Sequence, residues 1–225
     1  MTESLKRDPQ PLTTPLVHET AYAMLRRYLR PPARVIDLGA GEGAFTARLV
    51  RDGFSVVPVD VDASRFCVPG IPLEVADLNE PFADRLGRES WDACVALEVV
   101  EHLRSPYHFI RECRFLLRRN GYLLLSTPNV ESLPSRMIFL WNGRFRFFAP
   151  DETEGHHVYP CFGWFLDLCF REAGYEVLEV RFNRHTWDCG ESLKAKVASW
   201  VARVLSPCVT GDKHGEIRIV IARAL

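Results

Sequence analysis

A strand-like run that breaks straight into a helix across three glycines constrains this chain more than any other feature. Residues 34–38, Arg-Val-Ile-Asp-Leu, read as a buried strand; Gly39-Ala40-Gly41-Glu42-Gly43 read as a sharp turn and 44–52 as a helix. The alternation continues along the chain. Strands are expected at 54–60, 71–76, 91–97 and 122–126, then at 175–182 and 216–222. Helices are expected at 19–30, stopped by Pro31-Pro32, at about 163–173, and from Ser105 as N-cap with Pro106 at the first position. Strands alternating with helices predict an α/β protein, a mostly parallel sheet covered by helices on both faces.

With 225 residues, 47% of them hydrophobic and 25% charged, the chain is long enough for one sizeable core. A single domain over 1–225 is the expectation, with three elaborations. Residues 1–33 form an N-terminal helical cap. Residues 127–160 form a lid or insertion rich in aromatics (Phe139, Trp141, Phe145, Phe147, Phe148) interleaved with Arg136, Arg144 and Arg146. Residues 183–214 form a helical insertion before the last strand, where Leu193, Val197, Trp200, Val201, Val204 and Leu205 share a helical face with a basic fringe of Lys194, Lys196 and Arg203. That face suits the edge of its own sheet, a peripheral membrane contact or a dimer contact, and the oligomeric state is left open. Lys and Arg number 28 against 29 Asp and Glu, so the broad basic surplus of a phosphate-binding surface is missing and a nucleic-acid partner is disfavoured. The seven cysteines form an odd set without a C-x-x-C pair, which argues for reduced thiols and a cytoplasmic setting. No run approaches the roughly 20 apolar residues that span a bilayer, and a soluble protein is expected.

Glycines let the backbone approach a ligand that a Cβ would block. Asp60 closes the second strand about 20 residues after the glycine turn, where a carboxylate can accept hydrogen bonds from both hydroxyls of a ribose. An adenosine-type ligand at the carboxyl ends of the strands follows. Gly39, Gly41 and Ala44 also satisfy G-x-G-x-x-A, so an NAD-dependent oxidoreductase, or a cofactor-binding subunit without turnover, is an alternative. Asp37 disfavours it, because an acid there repels a pyrophosphate and suits a cationic amino-acid moiety. Asp37-x-Gly39-x-Gly41-x-Gly43 resembles motif I of the class I S-adenosylmethionine-dependent methyltransferases. Asp60 matches that family's ribose acid, Asp77-Leu78 its adenine-contacting pair, and Glu98-Val99-Val100-Glu101-His102-Leu103 its segment after strand four; Ser126-Thr127-Pro128-Asn129 is similar to the segment after strand five. The resemblance implies S-adenosylmethionine as cofactor, held by Asp37, Gly39, Gly41, Gly43, Asp60, Asp77, Leu78 and Glu98. It also implies a Rossmann-like seven-stranded mixed sheet, six strands parallel and the last antiparallel. Asp77 ending a strand in a turn, and Glu98 as a solvated strand terminus, are the architectural alternatives.

Methyl transfer from a sulfonium to a hydroxyl needs the partners positioned, water excluded and a proton removed. His102 and His157 are the expected catalytic residues, with His156 next to the second of them, because a neutral imidazole is a base near pH 7. The spacing Glu98, Glu101, His102 is similar to the metal-binding segment of two subgroups, the ubiquinone-type O-methyltransferases and the RNA 3′-terminal 2′-O-methyltransferases; His157 is placed to match the latter's later histidine. Metal-free relatives carry the same pattern, so no metal is expected, and Glu101 then orients His102 or a loop amide. The ubiquinone-type subgroup is closest in pattern. A hydroxyl on a small-molecule acceptor is therefore favoured, with metal-dependent RNA 2′-O-methylation as the alternative.

Overall fold

The computed structural model describes residues 8–148, 157–184 and 192–225. In it seven strands form one sheet in the order β3-β2-β1-β4-β5-β7-β6. These are β1 Arg34–Leu38, β2 Ser55–Asp60, β3 Glu74–Val75, β4 Trp91–Leu97, β5 Leu117–Pro128, β6 Tyr175–Phe182 and β7 Ile217–Ala224. Strands β1 to β5 pair in parallel, and β7 runs antiparallel to both of its neighbours, β5 and β6. Six strands thus share one direction and the last opposes them, as expected.

The period-two alternation of a pleated strand decides which helix each side chain meets. Ile36, Leu38, Cys94, Ala96, Leu123 and Leu125 point to one face and pack with Phe82, Phe109, Ile110, Leu116, Leu166 and Phe170. They meet α3 Ala83–Leu86, α4 Pro106–Leu116 and α6 Gly163–Glu172. Val35, Ala93, Val95 and Leu124 point to the other face, onto α1 Val17–Tyr28 and α2 Ala44–Arg51 through Val17, Ala21, Leu25, Phe45 and Leu49. Burying each of the Val, Leu, Ile and Phe side chains among these contributes about 1.5–3 kcal/mol.

Local chemistry sets the boundaries. Ser105 caps α4, its Oγ accepting from the His108 amide at 3.2 Å, with Pro106 opening the helix. The buried Glu112 caps α3 from a distance, Oε2 accepting from the amides of Phe82 and Ala83 at 2.9 Å each. Two strands depart from expectation. β3 shrinks to Glu74–Val75 because it is an edge strand that can pair only with β2, and Pro72 has no N–H to donate. β5 starts at Leu117 rather than 122: it first pairs with Trp91, then bulges through Arg118–Gly121, with Asn120 at φ 64°, and regains register at Tyr122 opposite Ala93. Beyond β5, Ser132 caps α5 Leu133–Asn142, and Gly143 at φ 73° ends it. Helix α7, Leu193–Leu205, follows β6 and packs against α5.

Candidate active site

The carboxyl ends of β1, β2, β4 and β5 surround a cavity of about 850 Å³, the position at which open α/β sheets bind ligands. Its floor is the glycine turn. The Gly39 and Ala40 amides both donate to the Val59 carbonyl, at 2.8 and 3.0 Å, which pulls the turn tight against β2. Gly39 has φ 75°, and a Cβ there would lie 2.4 Å from Val99 Cγ2; no side chain fits.

Asp60 ends β2 and braces that turn. Its Oδ2 accepts from the Gly41 amide at 2.8 Å and its Oδ1 from the Asp62 amide at 3.0 Å, which leaves acceptor lone pairs on the cavity side. Asp37 is buried at the end of β1, where the Thr46 hydroxyl donates to its Oδ2 at 2.6 Å. Burial pushes the Asp37 carboxyl up to about 6, against the Thr46 hydrogen bond, and the nearby Asp60 adds to the rise. Asp77 is exposed and lines the opposite end; its Oδ1 accepts from the Asn79 amide and side chain at 2.9 and 3.0 Å, and the amide bond foremost holds its carboxyl below the usual range. Leu78 beside it is buried and also lines the cavity. Asp77 thus closes a turn and faces the cavity at once.

Glu98 follows β4 with φ 56°, a left-handed conformation that costs a non-glycine residue of order 1–3 kcal/mol. Glu98 is half-buried, with Ser126 Oγ donating to Oε1 at 2.6 Å while accepting from the Glu98 amide at 3.0 Å. Burial lifts it to about 7. One turn on, in the 3₁₀ turn Val100–His102, Glu101 is fully buried and, among the described residues, neither carboxyl oxygen has a hydrogen-bond partner. The Thr127 hydroxyl faces it without reaching hydrogen-bond geometry. Burial, then the charge of Glu98, pushes the Glu101 carboxyl well above its ordinary value. Its carboxyl does not orient a loop amide. The tie to the later loop is made by its main-chain carbonyl, which accepts from the Val158 and Tyr159 amides at 2.9 and 3.0 Å.

That tie brings His157 over His102, with ring centroids 4.7 Å apart and planes at 62°. Both rings line the cavity. His157 Nδ1 lies 2.7 Å from the Phe147 carbonyl; a carbonyl can only accept, so Nδ1 carries the hydrogen and Nε2 holds a lone pair. Burial lowers the His157 pKa, with the Phe147 carbonyl opposing. Potential donor atoms of Glu101, His102 and His157 all lie within 4.8 Å of one another; Glu98, turned to Ser126, is not in this group. His156 lies outside the described residues.

The N-terminal segment is part of the site, which no periodicity in the sequence signals. Gln10, Leu12, Thr13 and Thr14 line the cavity, and the Gln10 amide donates to Glu42 Oε2 at 2.9 Å. Asn183, at the end of β6, holds the segment down: its Nδ2 donates to Thr14 Oγ1 and the Pro15 carbonyl, while Oδ1 accepts from the amides of Glu216 and Ile217. His18 lines the cavity edge-on to Phe45, and burial depresses its pKa to about 4, so it is neutral.

Comparison with known proteins agrees with this geometry. A family of methyltransferase domains matches residues 13–180. The ubiquinone biosynthesis O-methyltransferase of Xanthomonas campestris is 31% identical over 112 residues, 46% of this chain and 46% of that enzyme, so the match spans under half of each. The enzyme of the same name from Ruegeria pomeroyi is 26% identical over 77% of this chain and 73% of its own length. Among solved structures, a SAM-dependent methyltransferase from Archaeoglobus fulgidus superposes with a TM-score of 0.62 at 19% identity, over 92% of this chain and 94% of that one, which is a likeness of fold. The glycine turn, its two acids and the family match over 13–180 make this chain a member of the class I S-adenosylmethionine-dependent methyltransferases.

Proposed function

We infer that this methyltransferase acts on a hydroxyl oxygen of a small-molecule acceptor, with His157 Nε2 as the base and His102 beside it. The observation that carries the reading is the pair of imidazoles, one following β4 and one arriving from beyond β5, set edge to face at 4.7 Å on the wall of the cofactor cavity.

The residues fit the cofactor. The glycine turn leaves no room for a Cβ at Gly39, Asp60 keeps free acceptor capacity for two ribose hydroxyls, and Asp77 with Leu78 offers a polar and an apolar contact to a base. Asp37 suits the ammonium of the methionyl group, and Glu98 lies next along the same wall. When bound, S-adenosylmethionine supplies an electrophilic methyl group. The protein's own part is to position the acceptor, exclude water and take a proton. His157 Nε2 accepts the hydroxyl proton, and the Phe147 carbonyl on Nδ1–H stabilises the imidazolium that forms. Leu12, Leu103, Pro128, Phe147 and Ile217 give the cavity an apolar wall, which favours a phenolic or lipid-linked acceptor over a polynucleotide. The names of the relatives support the same class.

A screen with methyl-labelled cofactor against a metabolite extract and, separately, against short RNA tests this reading, with and without chelator. Label in a small organic acceptor, insensitive to chelator, is expected. Labelling of RNA 3′ ends, or of amines, contradicts it; loss with chelator and rescue by a divalent ion would assign Glu101, His102 and His157 to a metal instead.

A further inference from the structure

A carboxylate buried just before β7 reaches the wall of the cavity through a turn. Glu216 is 2% exposed, and its main chain is fixed from two sides: the carbonyl accepts from the Asn129 amide at 2.7 Å, and the amide donates to Asn183 Oδ1 at 3.2 Å. Its carboxylate holds two guanidinium groups. Arg184 Nε donates to Oε2 at 2.7 Å, and Arg146 Nη2 lies 2.6 Å from Oε1. A charge is buried only where opposite charge compensates it, and these two arginines do so. Arg146 belongs to a tight turn over residues 145–148, closed by the Phe148 amide donating to the Phe145 carbonyl at 3.1 Å. Its own amide donates to Ser135 Oγ at 3.2 Å, and its guanidinium carbon stands 5.1 Å from the centre of the Phe147 ring. Phe147 has φ 69°, a conformation unfavourable to a side chain that persists only where the surroundings impose it. In that conformation its carbonyl meets His157 Nδ1 at 2.7 Å, while the Phe148 ring lies 5.3 Å from the imidazole.

We propose that Arg146 and Glu216 are positioning residues for His157, resting on the reading of that histidine as the base. Their ion pair clamps the 145–148 turn against the sheet and so aims the Phe147 carbonyl that keeps the hydrogen of His157 on Nδ1 and its lone pair on Nε2. A free imidazole prefers the hydrogen on Nε2. Once the carbonyl drifts, the nitrogen that faces the acceptor therefore gains a hydrogen and loses its basic lone pair. The choice of arginine fits the role, because its planar fork fixes direction as well as charge, whereas a lysine supplies charge alone. Arg184 gives the arrangement its internal comparison. It binds the other oxygen of the same carboxylate from the end of β6 and belongs to no part of the turn.

Long-range proton–nitrogen spectra of the imidazoles, recorded at about pH 8 where the ring is neutral, test the proposal, with His157 assigned by its loss in His157→Gln. The unaltered protein should carry the hydrogen on His157 Nδ1. Arg146→Gln, which leaves Glu216 paired with Arg184, and Glu216→Gln should both move it largely to Nε2. Turnover with the acceptor from the labelling screen should fall by roughly 10²-fold, with cofactor affinity by calorimetry unchanged, and Arg146→Lys should recover part of the Nδ1–H form. Arg184→Gln should lower the melting temperature and leave the hydrogen on Nδ1. A His157 that stays Nδ1–H in Arg146→Gln and Glu216→Gln overturns the proposal. The same tautomer change in Arg184→Gln overturns it too, because the effect would then be a general loosening of the site. A change of tautomer in the two clamp variants with turnover intact supports the clamp and contradicts the base reading, so the two failures are told apart.

Discussion

Single carboxyl groups carry most of the cofactor chemistry, and each does two things. Asp60 braces the glycine turn through the Gly41 amide and keeps lone pairs for the ribose. Asp60→Ala should weaken S-adenosylmethionine binding by about 1.5–3 kcal/mol in calorimetry, and Asp60→Asn, which keeps one acceptor, by less. Asp37 is more instructive because its environment opposes its charge. Its carboxyl stands at about 6 in the free protein, raised by burial, and Glu98 at about 7 for the same reason. A cationic ligand favours the ionised form of each, so cofactor affinity should rise as pH climbs from about 5 to 8 and then level off. Asp37→Asn should flatten the lower part of that rise. The same raised value means that folding favours protonated Asp37: the fold loses stability as pH rises from the unfolded value through about 6. At pH 7.5, Asp37→Asn should therefore stabilise the unliganded protein by of order 1–3 kcal/mol in thermal melts while weakening cofactor binding. The motif in the sequence identifies Asp37, Asp60 and the glycines because their spacing is local. Nothing local signals that Ser126 holds the Glu98 carboxyl or that Glu101 is fully buried, because both follow from how β4 meets β5.

Elements explain which parts of the fold were legible. β1, β4 and β6 match their sequence-based bounds because an apolar run ends at a glycine, an acid or a polar turn. The first turn of α4 matches because Ser105 and Pro106 are themselves the cap. β3 and β5 depart because pairing decided them: β3 has one partner, and β5 extends through a bulge whose composition reads as a turn. The N-terminal strap escaped for a similar reason, since it is held by Asn183, 169 residues away from Thr14. Asn183→Ala removes four hydrogen bonds and should cost about 1–3 kcal/mol of stability; freeing the Gln10–Thr14 wall should also weaken cofactor binding. A melting curve and a titration on the same variant check both. An effect on stability alone would make the strap a structural tie only.

At the scale of the whole molecule the sheet brings two distant histidines together. His102 leaves β4 at the centre of the sheet, and His157 is carried back to it by the main-chain bonds from Val158 and Tyr159 to Glu101. The sequence places His102 just after strand four and His157 in the segment beyond strand five, where the two can converge, but it could not show that Phe147 sets the tautomer of His157. The most direct test of this arrangement is the turnover number of His157→Gln, and of His102→Gln, with the acceptor found in the labelling screen, measured beside cofactor affinity by calorimetry. A base at His157 predicts a fall in turnover of roughly 10²–10⁴-fold with cofactor affinity unchanged. It also predicts an acid limb in the wild-type rate profile below the ordinary histidine value of 6.5, as burial requires, and the loss of that limb in His157→Gln. Full turnover in both variants, with the limb still present, would contradict the account.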